Sequence, residues 1–307
     1  MNIVFIVLGI IIILVFIYLF LGFIIERIIC HPKKRDYETV KREEFNSKNI
    51  INEFQFDLPV EKLQIKNKKG QILIAHYYKN KKPGKYILFN HGYNYPFSSV
   101  FKYIYMFENL GYNVLFPDHR NNGGSYNSAI TFGFYEKEES FLWANELKKI
   151  AKKDNIINPI IGIMGESMGA ATSLLMAGDN RGNNFNFCIA DCPYSSWKEI
   201  IKLRIEEKKI KFFKFLYPSI KFSIKIFDKA DIDEVDIIKS AKNIKIPTLI
   251  IHGLSDTYVP YDMSKRIAKG NKKIKLFLQK DAKHAQSIST HYDIYLNTVK
   301  EFIENNN

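Results

Sequence analysis

Pro159-Ile160-Ile161-Gly162-Ile163-Met164-Gly165-Glu166-Ser167-Met168-Gly169 is the stretch that decides how the rest of the chain is read. Residues 160–164 are short, apolar and bounded by a proline, which is the pattern of a buried parallel strand. Ala170-Ala171-Thr172-Ser173-Leu174-Leu175-Met176-Ala177 follows as a good helix start. A serine between two glycines, on a tight turn from strand to helix, is a G-x-S-x-G elbow. Such a turn pushes the Ser167 hydroxyl clear of the sheet, and Gly165 and Gly169 leave room where side chains would clash. The helix N-terminus offers free N–H groups and a positive dipole end to a developing oxyanion. The pentapeptide alone also fits a plain glycine-rich turn. Its place between strand and helix selects the functional reading.

A nucleophilic serine needs a base, and the base needs a carboxylate to orient it. Downstream, residues 246–253 form another buried-strand run ending in His252-Gly253, and Asp256 follows in the turn. A last short strand, Lys275-Leu276-Phe277-Leu278-Gln279, precedes His284 in Asp281-Ala282-Lys283-His284-Ala285. Both candidates leave the carboxyl ends of predicted strands, where open α/β sheets place their sites. His284 is the expected base, since histidine is the side chain that commonly exchanges a proton near neutral pH, and Asp256 would fix its tautomer. The other histidines fit less well. His31 and His76 lie far upstream, and His119 stands beside Asp118, also upstream of the serine. His91 and His252 each precede a glycine at a strand end and are read as turn residues. His291 falls in the predicted last helix. Asp262 and Asp281 are the rival acids, Asp262 reading as a first-turn helix acid. The two oxyanion donors are expected to be the N–H of Met168 and that of Tyr93, which follows the strand Lys85–Asn90 and the turn His91-Gly92.

Four blocks therefore stand in order: His91-Gly92-Tyr93, Asp118-x-Arg120-x-x-Gly123-Gly124-Ser125, Gly165-Glu166-Ser167-Met168-Gly169, and His252-Gly253-x-x-Asp256 followed by His284. The series resembles the α/β-hydrolase superfamily, and most of all its bacterial membrane-anchored branch related to prolyl-oligopeptidase and serine-aminopeptidase domains. The likeness covers roughly residues 58 to 305. It implies an α/β-hydrolase fold, a mostly parallel eight-stranded sheet with helices on both faces. It also implies Ser167, Asp256 and His284 as the triad, Tyr93 and Met168 at the oxyanion hole, and a bracing role for the Asp118–Arg120 segment. Esters, thioesters, lipids and peptides are all hydrolysed on this scaffold.

The 307 residues suit one α/β domain of about 250 residues with an extension. A net charge of +13 can signal nucleic acid or an anionic membrane surface. No nucleic-acid motif is visible, and abundant Lys, Ile and Asn point to compositional drift as a source of the charge. Cys30, Cys188 and Cys192 suggest no disulfide framework. Cys188 and Cys192, on one extended strand, would lie ~13 Å apart, too far to bridge. No metal constellation appears, and the expected mechanism needs no cofactor.

Residues 3–25 carry no charge. As a helix they would span about 34 Å, enough for the ~30 Å hydrocarbon core. No basic start and no A-x-A-like cleavage site accompany them, so an uncleaved anchor is expected over residues 1–26. Arg27, Lys33, Lys34, Arg35, Lys41 and Arg42 follow, and the positive-inside rule then places the hydrolase in the cytoplasm. Residues 27–57 read as a linker or helical collar, and residues 58–307 as the hydrolase domain.

Within that domain an opening hairpin is expected at 61–67 and 72–78. Strands follow at 86–90, 113–117, 160–164, 186–191, 247–252 and 274–279, with helices near 98–110, 137–153, 168–177, 261–269 and 287–304. Residues 195–240 exceed a simple connection and are expected to form a cap. Between 198 and 225 nine Lys or Arg face three Glu, with Phe212, Phe213, Phe215, Leu216, Tyr217 and Phe222 interleaved. That pattern fits a lid with solvated lysines, and also a basic helix lying in a membrane interface. The expected function is a membrane-anchored serine hydrolase of carboxylic esters or thioesters, acting on a small-molecule or lipid-like acyl substrate. A serine peptidase and a non-catalytic binding protein on the same fold are the alternatives.

Overall fold

β1 (Val60–Lys66) and β2 (Ile72–Tyr78) form the antiparallel hairpin that opens the sheet. The structure, a computed structural model, describes residues 3–47, 59–209 and 212–306. β3 (Lys85–Asn90), β4 (Asn113–Asp118), β5 (Ile160–Glu166), β6 (Phe187–Asp191), β7 (Thr248–Gly253) and β8 (Ile274–Gln279) complete one eight-stranded sheet. Its order is β1-β2-β4-β3-β5-β6-β7-β8. β2 pairs antiparallel with β4, and every pairing from β4 through β3 to β8 is parallel. This is the mostly parallel α/β-hydrolase sheet the motif series implied.

Alternation along the strands builds a core on each face. Ile87 and Phe89 of β3 join one core with α3 (Phe101–Asn109) and α11 (Tyr292–Glu304). Tyr86 and Leu88 join the other, with α4 (Glu136–Lys153) and α5 (Met168–Ala177). Strands buried on both faces read as continuous apolar runs, which is why 160–164 and 248–251 were visible in the sequence. All ten residues of α5 are buried, so the helix behind Ser167 is part of the core.

The connection from β6 to β7 carries α6 (Trp197–Glu207), α7 (Phe213–Ser223) and the short α8 (Ile237–Ala241). An antiparallel bridge between Ser196 and Asp236 closes the neck of this insertion. α9 (Asp262–Lys269) and α10 (Ser287–Thr290) flank β8. Two helical expectations are refined. The 98–110 segment opens as a 3-10 turn over Phe97–Val100 before α3. The 287–304 run breaks at His291, whose extended backbone separates α10 from α11 and takes that residue out of the helix.

α1 (Ile3–Cys30) carries an 18-residue window of mean hydropathy 3.5 with none of it buried, long and apolar enough to cross a membrane. The helix continues past Ile25 to Cys30. α2 (Tyr37–Asn46) starts at Asp36, which accepts from the Thr39 N–H. Of the expected collar and hydrolase segments, residues 48–58 lie outside the described residues, as do 210 and 211 in the insertion.

Candidate active site

The elbow is built by close approach. A Cβ on Gly165 would overlap the Gly169 carbonyl, and one on Gly169 would overlap the Asn90 carbonyl at the end of β3. With both positions bare, the chain turns at Ser167 with φ 54° and ψ −112°, a strained conformation for a non-glycine residue, costing about 1–3 kcal/mol. The Ser167 N–H is held by the Asp191 carbonyl at 2.8 Å. The strain aims the Ser167 Oγ away from the sheet.

That oxygen meets His284. Ser167 Oγ lies 3.0 Å from His284 Nε2, and His284 Nδ1 lies 2.7 Å from Asp256 Oδ2. Asp256 accepts only, so His284 carries its proton on Nδ1 and accepts the Ser167 hydroxyl on Nε2. Asp256 is fixed from below: its Oδ1 accepts the N–H groups of Tyr258 and Val259 at 2.9 and 2.8 Å. His252 Nε2 sits 3.1 Å from Asp256 Oδ2 and 2.8 Å from the Val259 carbonyl. Burial alone would raise the Asp256 carboxyl; hydrogen bonds from His252 and His284 outweigh it and hold it well below the usual carboxylate range. The rivals stand apart. Asp262 pairs with Arg266 on the surface, and Asp281 occupies a turn with φ 58°.

His252 does more than serve a turn. It is fully buried, donates Nε2–H towards Val259 and Asp256, and accepts from Ser264 on Nδ1 at 2.7 Å. His91 donates Nδ1–H to the Gly92 carbonyl at 2.7 Å and accepts the His119 N–H on Nε2 at 2.9 Å. Burial lowers its pKa, consistent with a neutral ring that accepts on one nitrogen. The His91-Gly92 turn so fixed lies against Ser167: the Cβ position of Gly92 is 3.8 Å from Ser167 Cβ. Tyr93 follows immediately, and Met168 opens α5, whose first N–H groups have no partner within the helix.

A second polar cluster lies behind the elbow and was not legible in the motifs. Lys102 of α3 is fully buried, with Nζ 2.6 Å from Glu166 Oε2 and 2.7 Å from the Ala285 carbonyl. Glu44 of α2 approaches it at 3.7 Å. Burial opposes the ammonium charge, but Glu166 and Glu44 overcome this and raise its pKa. Tyr103 Oη is within 2.7 Å of Glu166 and 3.0 Å of Asp191, which also accepts from Tyr295 at 2.9 Å. The available signal was Lys102 itself, a lone charge within the otherwise apolar run Phe101–Phe107. Asp118 and Arg120 bind scaffold groups: Tyr37 Oη at 2.5 Å, the Gly124 N–H at 3.0 Å, and Glu139 at 2.7 Å.

Aromatic side chains pack beside the triad. Tyr93 stacks on Phe132 at 5.3 Å, and Phe132 on Trp197 of α6 at 5.4 Å. Tyr258 packs 4.8 Å from the His284 ring, and the Arg204 guanidinium of α6 lies over the Tyr258 ring at 3.5 Å. Among the described residues, two groups bring three possible metal-ligating atoms together: Cys192, Asp256 and His284, and Glu26, Cys30 and Asp228. In the first, the His284 and Asp256 atoms are already hydrogen-bonded to each other. In the second, Arg27 and His31 already pair with the carboxylates.

Comparison with known proteins now adds to this geometry. The profile of the prolyl oligopeptidase family matches residues 98–306. The chain belongs to the prolyl oligopeptidase family. It is a serine hydrolase, as that membership and the α/β-hydrolase fold together indicate. The uncharacterized protein YqkD of Bacillus subtilis is 30% identical over 277 residues, covering 90% of this chain and 89% of that protein. Among solved structures, the Pyrococcus furiosus esterase Pf2001 superposes with a TM-score of 0.64 at 22% identity, over 83% of this chain and 96% of that one. A puromycin-hydrolyzing peptidase of Mycobacterium tuberculosis gives 0.61 at 17% identity, over 83% of this chain but 40% of that one. These two likenesses show the fold.

Proposed function

We propose that this prolyl oligopeptidase family member is a membrane-anchored hydrolase of carboxylic esters or thioesters that works through an acyl-enzyme on Ser167. The observation that carries the reading is the continuous hydrogen-bonded path from Asp256 through His284 to Ser167. In the first half-reaction Ser167 Oγ attacks the acyl carbonyl carbon and its proton passes to His284 Nε2. The N–H groups of Met168 and Tyr93 stabilise the oxyanion. Collapse breaks the bond to the leaving oxygen or sulfur, which takes the proton from His284. Water then attacks the acyl-enzyme, gives a proton to His284, and releases the acid as Ser167 recovers its hydrogen. Asp256 stays ionised throughout and stabilises the imidazolium, in keeping with its depressed pKa.

The aromatic side chains packed beside the triad support an apolar acyl group over a peptide, and α1 supports delivery from a membrane. We take residues 1–26 as the anchor, 27–57 as a collar, and 58–307 as the hydrolase domain with residues 195–240 as its cap. The basic residues after α1 favour a cytoplasmic catalytic domain. A fluorophosphonate probe tests the chemistry: the wild-type chain should be labelled and Ser167→Ala should not. A panel of p-nitrophenyl esters beside aminoacyl amides tests the substrate class. Faster turnover of amides would make the chain a peptidase, and absence of labelling in a folded protein would overturn the triad.

A further inference from the structure

α1 does not leave the body as a free stalk. Its C-terminal half lies along α7, and the two helices run in the same direction. Tyr18 Oη donates to the Phe215 carbonyl at 2.8 Å, with the rings 4.9 Å apart. Gly22 sits on Ser219, so close that an added methyl would fall 2.5 Å from the Ser219 carbonyl carbon. Phe23 meets Phe227 edge-on at 4.9 Å. Arg27 and His31 reach Asp228 at 3.4 and 2.8 Å. Tyr18–Phe215, Gly22–Ser219 and His31–Asp228 share one sequence offset, while Phe23 and Arg27 reach one to two turns further along, so the helices pack lengthwise.

α7 is apolar on two sides. Phe213, Leu216 and Ile220 face the core of the insertion. Phe212 and Phe215 point outward, 72% and 65% exposed, and Phe222, Ile226 and Phe227 are exposed beside them. This outer face is continuous with the exposed apolar surface of α1. Lys208, Lys209, Lys214 and Lys225 are exposed around it. If residues 3–25 fill the hydrocarbon, Phe215, level with Tyr18, lies about 10 Å inside its boundary. Phe215 would then stand among acyl chains, while Lys225, level with Ile28 on the same register, would lie just beyond the boundary. A lid that only covered the site would have no cause to carry phenyl rings on the face turned away from it.

We propose that α7 is a membrane-contacting helix, docked lengthwise beside the anchor with its N-terminal end dipping into the acyl region of an anionic leaflet. Phe212 and Phe215, at the deep end of α7, would enter the acyl region furthest, and Lys225, level with Ile28 just outside the boundary, would meet lipid phosphates. The site is tied to the same frame. Tyr93 Oη donates to the Ile29 carbonyl of α1 at 2.7 Å, and the Ile130 N–H donates to the Cys30 carbonyl at 2.7 Å. Trp197 and Arg204, which pack on Phe132 and Tyr258 beside the triad, belong to α6 of the same insertion. The site is therefore held near the leaflet surface, and on the ester reading proposed above its substrate is an acyl lipid drawn laterally from that leaflet.

Nitroxide depth measurements on the full-length chain, in bilayers of phosphatidylcholine with or without phosphatidylglycerol, test the insertion. Cys30, Cys188 and Cys192 are buried, so labels at Phe215→Cys, Phe20→Cys on the lipid-facing side of α1, and Ile157→Cys on the distant surface can be placed singly. The Phe215 label should resemble Phe20, colliding more with oxygen than with a water-soluble nickel complex, and Ile157 should do the reverse. A Phe215 label that behaves like Ile157 overturns the proposal. Omitting phosphatidylglycerol should shift Phe215 towards water and leave Phe20 unchanged; no shift would overturn the anionic contact. Phe212→Lys/Phe215→Lys should cut hydrolysis of a vesicle-borne ester by about tenfold or more, the equivalent of one lost buried phenyl, and spare a water-soluble ester. Equal loss on both esters would overturn lateral delivery. If the wild-type chain cleaves neither ester, the ester reading fails while the depth result stands.

Discussion

Two polar networks meet at Ser167 from opposite sides, and they differ in how the chain makes them. In front, Ser167, Asp256 and His284 each stand on a loop just past the carboxyl end of β5, β7 or β8. Behind, Glu166 and Asp191 close β5 and β6, while Lys102, Tyr103 and Tyr295 come from helices. The front network is a line, with one proton path and a neutral imidazole between two oxygens. The rear network is a buried cage, in which one ammonium ties the elbow to the backbone of the His284 loop and to the collar. A line can move a proton at little structural cost. A cage of unequal charges fixes positions and is costly to open. The front is expected to govern turnover and the rear to govern stability and alignment.

The sharpest test is to cut the line. Ser167→Ala should lower turnover by ~10⁴- to 10⁶-fold, and Asp256→Asn, which favours the wrong His284 tautomer, by ~10⁴-fold. Ser167→Ala should leave the thermal midpoint near wild type, because it removes only a hydroxyl from a strained turn, whereas Asp256→Asn should also lower it, because the charged, hydrogen-bonded carboxylate stabilises the fold. A collapse of the fold in Ser167→Ala would show that the front network is structural too. Should Asp262→Asn or Asp281→Asn cause the loss instead, the wrong carboxylate has been assigned.

Cutting the cage should give the opposite profile. Lys102→Met leaves Glu166 buried without its cation and should destabilise the protein by about 3–5 kcal/mol in urea unfolding. Turnover of the folded fraction should fall by no more than ~100-fold, the scale of a displaced His284 loop. Glu166→Gln in the same chain should recover part of the stability, because the orphaned charge is gone. If the double variant is no more stable than Lys102→Met, packing of the lysine stem rather than charge balance holds the cage.

Why one network could be read and the other not follows from where the information lies. The elbow is specified within five residues, because only glycine fits at 165 and 169 once a strand turns sharply into a helix. Asp256 and His284 follow apolar runs that mark strand ends, so their order along the chain is also their order across the sheet. The two glycines and the buried strands made the fold legible from the same segments. Lys102 meets Glu166 only after α3 packs on the sheet, and nothing adjacent to it in sequence announces that contact. His252 was read as a turn residue because its glycine neighbour suggested one, yet its bond to Asp256 exists only once β7 and the Val259 turn close. The pairing of Gly22 with Ser219 is still more remote. Sequence patterns showed that α1 and α7 are apolar and not that they touch.

The pH dependence of stability sharpens the comparison further. Burial and the charge of Glu166 push Asp191 up to about 6. The single proton of Tyr103 faces carboxylates on both sides, so a proton retained on Asp191 relieves the cluster. An unfolded aspartate releases its proton near pH 4, so between about 4 and 6 the folded state binds more protons and stability falls as pH rises. The full difference is roughly 3 kcal/mol at most. Asp256 acts in the other direction and outside this window: its depressed pKa gives stability above pH 4 that is lost as the solution is acidified further. Asp191→Asn should therefore remove a declining component between pH 4 and 6 when its unfolding free energy is compared with wild type. An unchanged difference across that window would mean that Asp191 is ionised throughout.

The smallest expected effect separates the backbone of Tyr93 from its side chain. The proposed oxyanion donor is the N–H, while the hydroxyl bonds the Ile29 carbonyl where α1 enters the body. Tyr93→Phe keeps the N–H and the stacking on Phe132 and deletes one hydrogen bond, a change of about 1 kcal/mol in stability. Turnover of a water-soluble ester should stay within severalfold of wild type. Tyr93→Pro removes the donor itself and should cost ~10²- to 10³-fold, as losing one oxyanion contact does. If Tyr93→Phe were the more damaging change, the phenol would matter more than the amide. The front network would then depend on α1 as closely as the rear network depends on α2.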